Sequence, residues 1–276
     1  MDLKNSESAT YPHGHHASVL RSHSWRTALN SAAYLLPHLQ PSMDILDIGC
    51  GPGTITVDLA SYIPQGSITG LERAEEVLTH ARAFAKQNGV TNAHFVVGDA
   101  NSLEYPDNTF DVVMCHQVLQ YMHDPVSVLK EMKRVVKVGG IVAVREADFG
   151  SFVWHPEVEG MEDWRTLYME VAKSNGGQPK AGRMIHAWAK KAGFLVSNLK
   201  ISSSTWCYGT KEEVEWWSKL WSERTVASLF ATSVLNSKLA GTTDLNQAAD
   251  AWLRWGKQED AWFSVLNGEV ICYKEP

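Results

Sequence analysis

Cysteine is scarce in this chain: 4 among 276 residues, at Cys50, Cys115, Cys207 and Cys272, with no Cys-x-x-Cys pair. Such spacing offers neither a disulfide framework nor a zinc pattern, and it fits a reducing, cytoplasmic compartment. No apolar run approaches the roughly 18–20 residues that span a bilayer. The first eleven residues are polar and lack the apolar stretch of a secretion signal. Lysine and arginine never cluster, and 25 of them against 31 acidic residues leave a net charge of −6. That balance disfavours a nucleic-acid partner, whose phosphates demand a basic surface. Internal repeats and low-complexity linkers are also missing. What is present is a globular composition, 44% hydrophobic and 20% charged, enough for one large domain or a domain with a cap.

Apolar spacing organises the chain. Trp25, Ala28, Leu29, Ala32, Ala33 and Leu36 mark one face of a helix closed by Pro37 and Pro41. From residue 44 to 147 short strand signals alternate with helical ones. Strands are expected at 44–48, 67–71, 93–97, 110–115 and 141–144, separated by Gly or Pro turns. That alternation predicts an α/β fold, a doubly wound parallel sheet covered on both faces. Beyond Ser151 the spacing predicts a helix around Met184–Ala192, a strand over 194–201 and Trp-rich helices over 211–261. A last strand over 264–274 is expected around a turn at Asn267-Gly268.

The strongest chemical signal is Asp47-Ile48-Gly49-Cys50-Gly51-Pro52-Gly53, directly after one strand and before one helix. Glycines let a backbone turn sharply and approach a ligand. A helix N-terminus adds N–H groups without intrahelical partners. The dinucleotide fingerprint reads G-x-G-x-x-G, whereas here the glycines fall as G-x-G-x-G. S-adenosylmethionine has no pyrophosphate to cradle. Its amino-acid end needs a close backbone, and its ammonium needs acceptors. Asp47 could meet that ammonium, directly or through water, or brace the loop. Glu72 ends the second strand, where an acid can accept both ribose hydroxyls. Gly98-Asp99-Ala100 ends the third, where a carboxylate can accept from an adenine amine. All three signals fall at the carboxyl ends of neighbouring strands, where ligands bind in such sheets.

With Phe110-Asp111-Val112-Val113 and the run from Leu129 to Gly140, these residues resemble the class I S-adenosylmethionine-dependent methyltransferases. Within that class they are similar to the ubiquinone and menaquinone biosynthesis methyltransferase group. The resemblance is specific over about 44–147. It implies a seven-stranded, mostly parallel Rossmann-like sheet whose final, antiparallel strand slots between the fifth and sixth. It divides the chain into an N-terminal helical cover (1–40), a cofactor-binding core (41–204), a helical insertion (205–262) and the last strand (263–276). Carried over by motif, Gly49 and Gly51, with Cys50 between them, approach the methionine part. Glu72 holds the ribose with Arg73 beside it, and Gly98, Asp99 and Ala100 meet the adenine. His116 and Gln117 face the sulfonium. Tyr11 and Arg26, on the covering segment, are expected at the methionine end, where Arg26 could pair with the carboxylate. The implied cofactor is S-adenosylmethionine, with S-adenosylhomocysteine as product.

The Trp-rich insertion departs from the quinone enzymes, so a quinone acceptor is not carried over. The activity expected is methyl transfer to a small organic acceptor by in-line displacement. The alternatives are a bound cofactor that is not consumed, in a cyclisation or elimination, and an S-adenosylmethionine-binding regulator. His16, in the cluster His13, His15 and His16, and His155, after the fifth strand, are candidate bases. No metal is expected, because no carboxylate or cysteine ligand stands near those histidines at a telling spacing. Ten of the 11 tryptophans follow Ser151. Core packing accounts for most of them, and Trp154 is the candidate for substrate contact. The Trp-rich helices could also supply a homodimer face.

Overall fold

A computed structural model of the chain describes residues 22–23 and 25–276. Five strands of a sheet follow the anticipated alternation: β1 (Asp44–Ile48), β2 (Ser67–Glu72), β3 (Ala93–Val97), β4 (Phe110–His116) and β5 (Val136–Ala147). Three more follow: β6 (Val153–His155), β7 (Leu199–Tyr208) and β8 (Trp262–Tyr273). The order is β3-β2-β1-β4-β5-β8, with β7 on the far edge of β8. Short β6 pairs with residues 262–264 of β8, along the same edge as β5. Pairs among β1–β5 are parallel, and β8 is antiparallel to all three of its partners. The sheet therefore has eight strands, one more than expected, and β6 is the addition.

Successive residues of the central strands face opposite sides, and both sides are covered. Leu46, Ile48, Val113 and Val142 pack with α4 (Pro125–Val135) and α6 (Ile185–Lys191). Ile45, Val112, Met114 and Ile141 pack with α1 (Ala28–Ser31) and α2 (Thr54–Ala60). The third helix of the regular half, α3 (Glu75–Gln87), lies beside β3. Asp124 opens α4 by accepting from the N–H groups of Val126 and Ser127, with Pro125 in the first turn.

Three local expectations are corrected. The first helix is a single turn rather than a run to Leu36. Thr27 and Asn30 form a reciprocal capping box that opens it, and after Ser31 the chain passes through turns to a short 3-10 turn at Leu36–His38 that contains Pro37. Ala28, Ala32 and Leu35 are still buried. The strand expected at 194–201 starts later and runs to Tyr208. Asn267-Gly268 makes no turn. Gly268 lies inside a continuous strand, paired on both edges, and a Cβ there would stand 1.8 Å from the Gly182 carbonyl oxygen. Glycine is required there for a close backbone crossing rather than for a turn.

The remaining helices form a cap from two parts of the chain. One part is α5 (Met161–Ser174), which precedes β7 and which the sequence reading did not anticipate. The other is α7 (Lys211–Ala227), α8 (Leu229–Ser237) and α9 (Thr242–Trp255). Trp164 of α5 meets Trp221 of α7 and Trp252 of α9 edge-on, each with ring centroids 4.8 Å apart. These rings join Phe149, Phe152 and Phe263 in one buried cluster. Among the described residues no helix is long and apolar enough to cross a membrane.

Candidate active site

A cavity of about 1100 Å³ opens at the carboxyl ends of β1, β2, β3 and β4. Its size lies at the upper end of ordinary ligand pockets, roughly 300–1,000 Å³. The loop after β1 makes one wall. The N–H groups of Gly49 and Cys50 both donate to the Leu71 carbonyl, at 2.7 and 3.1 Å, which pins the loop to the end of β2. Gly49 has φ +71°, and a Cβ there would come within 2.4 Å of Val118 Cγ2. Gly51, at φ +53°, meets nothing closer than His23 Nδ1 at 3.9 Å. A side chain at Gly49 would thus collide with the turn after β4, and one at Gly51 would take up cavity space.

Glu72 is fixed by its own neighbours. Oε2 accepts the Gly51 N–H at 3.2 Å, and Oε1 accepts from Arg73 and Ala74 N–H at 2.7 and 3.3 Å. A carboxylate offers about four acceptor positions, so capacity remains for a ligand's hydroxyls. Asp99 is held through Oδ1, which accepts from the backbone and side-chain nitrogens of Asn101. Asp47 lies deeper, buried, and accepts from the Thr56 hydroxyl at 2.6 Å. Burial pushes its carboxyl up to about 7, offset in part by the Thr56 hydrogen bond and reinforced by the charge of Glu72. A cation brought beside Asp47 would return it to the carboxylate form.

The turn after β4 forms the opposite wall. Buried Glu146 accepts the N–H groups of Val118, Leu119 and Gln120, at 2.9, 2.7 and 3.2 Å, and so caps this turn from β5. Gln117 is a non-glycine residue at φ +55°, a conformation that needs support from its surroundings. Its N–H donates to the Arg145 carbonyl, and its Oε1 accepts from Arg26 at 2.6 Å. His116 lines the cavity beside it, buried, and neither ring nitrogen has a partner among the described residues. Burial first, then the charges of Arg26 and Arg145, hold its pKa well below the usual histidine range, so the ring is neutral.

Of the residues singled out in the sequence, twelve line this one cavity. They are Arg26, Asp47, Gly49, Cys50, Gly51, Glu72, Arg73, Gly98, Asp99, Ala100, His116 and Gln117. Tyr11 and His16 lie outside the described residues. Trp154 and His155 do not stand over the mouth, as their position after the fifth strand suggested. They sit on β6, where Arg165 covers the Trp154 ring and exposed His155 meets Asp260 at 3.0 Å. The chain after Ala147 turns back to pair with β8 and carries both away from the cavity. Sequence reasoning missed Tyr121 and Met122, which line the cavity a few residues beyond His116, and Ala227, Ser228 and Thr232 from the junction of α7 and α8. The first two lie on the turn that Glu146 caps. The cap residues carried no sequence signal, because only the tertiary fold brings them to the sheet edge.

A second, smaller chamber of about 40 Å³ adjoins the cavity under the cap. His23, Arg26, Gln117 and Tyr121 line both spaces, and the chamber's other walls are largely aromatic.

The residues around the large cavity suit S-adenosylmethionine better than a dinucleotide. Four acids line it, at Asp47, Glu72, Glu76 and Asp99. Asp47 and Glu72 stand beside the glycine loop, where a pyrophosphate would be repelled and an ammonium or ribose hydroxyls held.

Comparison with known proteins agrees. The family model described as methyltransferase domain matches residues 39–212. An uncharacterized methyltransferase of Schizosaccharomyces pombe is 34% identical over 279 residues, covering 99% of each chain. A demethylmenaquinone methyltransferase of Geobacillus stearothermophilus is 36% identical over 110 residues, covering 40% of this chain and 47% of its own. Among solved structures, the YcgJ protein of Bacillus subtilis superposes with a TM-score of 0.60 at 18% identity, over 90% of this chain and 99% of that one.

Proposed function

The chain belongs to the methyltransferase-domain family as an S-adenosylmethionine-dependent methyltransferase, and on that premise we propose that it methylates a small organic acceptor held in the same cavity as the cofactor. One observation carries this reading. The glycine loop, Glu72, Asp99 and the neutral His116 line a single cavity large enough for a cofactor and a second small molecule. The cofactor, when bound, supplies a methyl group already activated on a sulfonium.

The chain's residues have four tasks. Glu72 and Asp99 accept from the nucleoside, and Asp47 balances the ammonium. The Gly49–Gly51 backbone gives the amino-acid end a close approach. His116 and Gln117 line the same cavity and would stand near the reacting end of the bound cofactor, where they could position a small acceptor. His116 presents a neutral ring with no partner among the described residues, and it could accept a hydrogen bond from a bound acceptor. Ala227, Ser228 and Thr232, at the α7–α8 junction, supply a further part of the cavity wall.

Calorimetric titration of the full chain with S-adenosylmethionine, S-adenosylhomocysteine and NAD tests the reading. Micromolar binding of the two sulfur compounds and none of NAD is expected. Glu72→Ala weakens both by about 1–3 kcal/mol, the scale of hydrogen bonds to a charged acceptor. Binding of NAD alone would overturn the reading, and an unchanged dissociation constant in the variant would remove Glu72 from the ribose.

A further inference from the structure

We propose that the outer edge of β7 is the pairing surface for a second copy of this chain, which adds antiparallel across a two-fold axis at Ser203 and joins the two sheets into one. No residue of β7 lines the large cavity, so this surface is separate from the site of methyl transfer.

The edge strands of the sheet are built differently. β3 is 5 residues long, and Arg82 of α3 donates to its Phe95 carbonyl at 3.1 Å. β6 has only 3 residues. β7 has 10, paired with β8 in an unbroken register from Leu199 to Tyr208. On its other edge the backbone N–H and carbonyl groups have no partner among the described residues. The side chains of Lys200, Ile201, Ser202, Ser203 and Thr205 are exposed, Ile201 at 57%. Native sheets blunt such edges with short strands, proline, bulges or charged side chains. β7 has no proline and no bulge, and Lys200 is its one charge. An edge this long and this little protected is a template for another strand.

Charge selects a second copy as the occupant. Lys190 and Lys191 end α6 shortly before β7, and Lys200 lies near the start of the strand. Glu212 and Glu213 lie in the first turn of α7, shortly after it, and leave that end net acidic even beside Lys211. A second copy added antiparallel lays each basic end against the other's acidic end, whereas parallel addition would oppose like ends. Side chains agree. With the axis at Ser203, Ile201 stands opposite the second copy's Thr205, and Ser202 opposite its Ser204. Facing pairs of β-branched and of hydroxyl side chains stabilise a ladder. The two Lys200 side chains are then about 20 Å apart, beyond the screening length at physiological salt. Such a closed, two-fold contact is the commonest way for like chains to associate. The Trp-rich helices do not compete for this role, because Trp217, Trp221, Trp252 and Trp255 are buried within the cap's own core.

Analytical ultracentrifugation of the full chain over a concentration series measures the association. A reversible monomer–dimer equilibrium in the micromolar range is expected. Ser203→Lys and Ser203→Glu each set like charges face to face on the axis, and each is expected to weaken dimerisation by about tenfold or more. Their unfolding midpoints and S-adenosylhomocysteine affinities should stay near wild type, because Ser203 is exposed and outside the cavity. Mixed in equal amounts, the two variants are expected to recover a dimer with one chain of each. Opposed residues of an antiparallel pair stand about 4.5–5.5 Å apart between Cα atoms, within reach of a disulfide. Ser203→Cys should therefore cross-link under mild oxidation. Exposed Cys207 of the wild type, about 26 Å from its copy in this register, should not. A monomer at every concentration, larger aggregates in place of a dimer, or a dimer indifferent to both charged variants would overturn the pairing. So would charged variants that stay apart when mixed, or a wild-type chain that cross-links through Cys207.

Discussion

Four carboxylates line the cavity at the sheet edge, and none among the described residues lines the chamber beside it. The cavity is built from strand ends and glycines, with backbone N–H groups and short acids at fixed places. The chamber is built from rings delivered by β7 and by the cap helix α7, together with Phe149 and Phe152 from the turn after β5. A ligand part shared by a whole family can be met by backbone and a few acids, whose geometry the sheet dictates. A ligand part peculiar to one enzyme is met by side chains on elements that the sheet does not dictate. Within this molecule, Arg26 and Gln117 line both spaces.

Damaging one half and reading the other tests that division. The largest effect is expected from Trp252→Ala. Its side chain is fully buried at the centre of the cap, touching Trp164, Trp221 and Phe263. Truncating such a residue costs about 3–5 kcal/mol. Denaturant unfolding should show that loss, while the S-adenosylhomocysteine dissociation constant, measured well below the new midpoint, should stay within about threefold. A collapse of cofactor binding in step with stability would mean that the two halves are one unit.

A smaller effect is expected on the cavity side. Burial holds the Asp47 carboxyl at about 7, above its ordinary 3.8. Between these values the folded chain keeps a proton that the unfolded chain has released. The stability contributed by this group is therefore complete below the lower value and lost as pH rises through the higher. Unfolding free energies at about pH 5 and pH 8 should drop further in the wild type than in Asp47→Asn, by on the order of 2 kcal/mol. Saturating S-adenosylmethionine, whose ammonium favours the carboxylate, should shrink the difference. Equal pH slopes in the two chains would show that Asp47 is already charged.

The smallest effect is expected from His155→Ala. Its contact with Asp260 is exposed on both sides, and such pairs contribute well under about 1 kcal/mol. Turnover should change by less than about twofold. A large loss of turnover with unchanged stability would restore His155 as a base.

The sequence made the cavity readable because its parts are local. Glycine spacing, an acid at the end of β2 and Gly98-Asp99 at the end of β3 each sit within a few residues of the strand that places them. The parallel half of the sheet was readable for the same reason, since strand and helix periods alternate cleanly through it. The cap was not. Met161, Trp164, Tyr168, Val171 and Ala172 have helical spacing and are all buried, yet the segment follows a short strand and carries no motif. Asn267-Gly268 misled because an Asn-Gly pair is a strong local turn signal, and the constraint that overrides it comes from Gly182, far away in sequence. Gln117 was placed by motif, but its left-handed backbone and its bond to Arg26 depend on residues remote in the chain.

The central place of β8 has a consequence for how the molecule comes into being. This strand is made after β5, β6 and β7, and it is the partner of all three. Until it emerges during synthesis, those strands wait with unsatisfied edges, the condition in which nascent proteins are most open to pairing with the wrong chain. Asn267, whose amide lies near that of Gln117, arrives with it. The wall between cavity and chamber is thus finished by residues that enter the fold last.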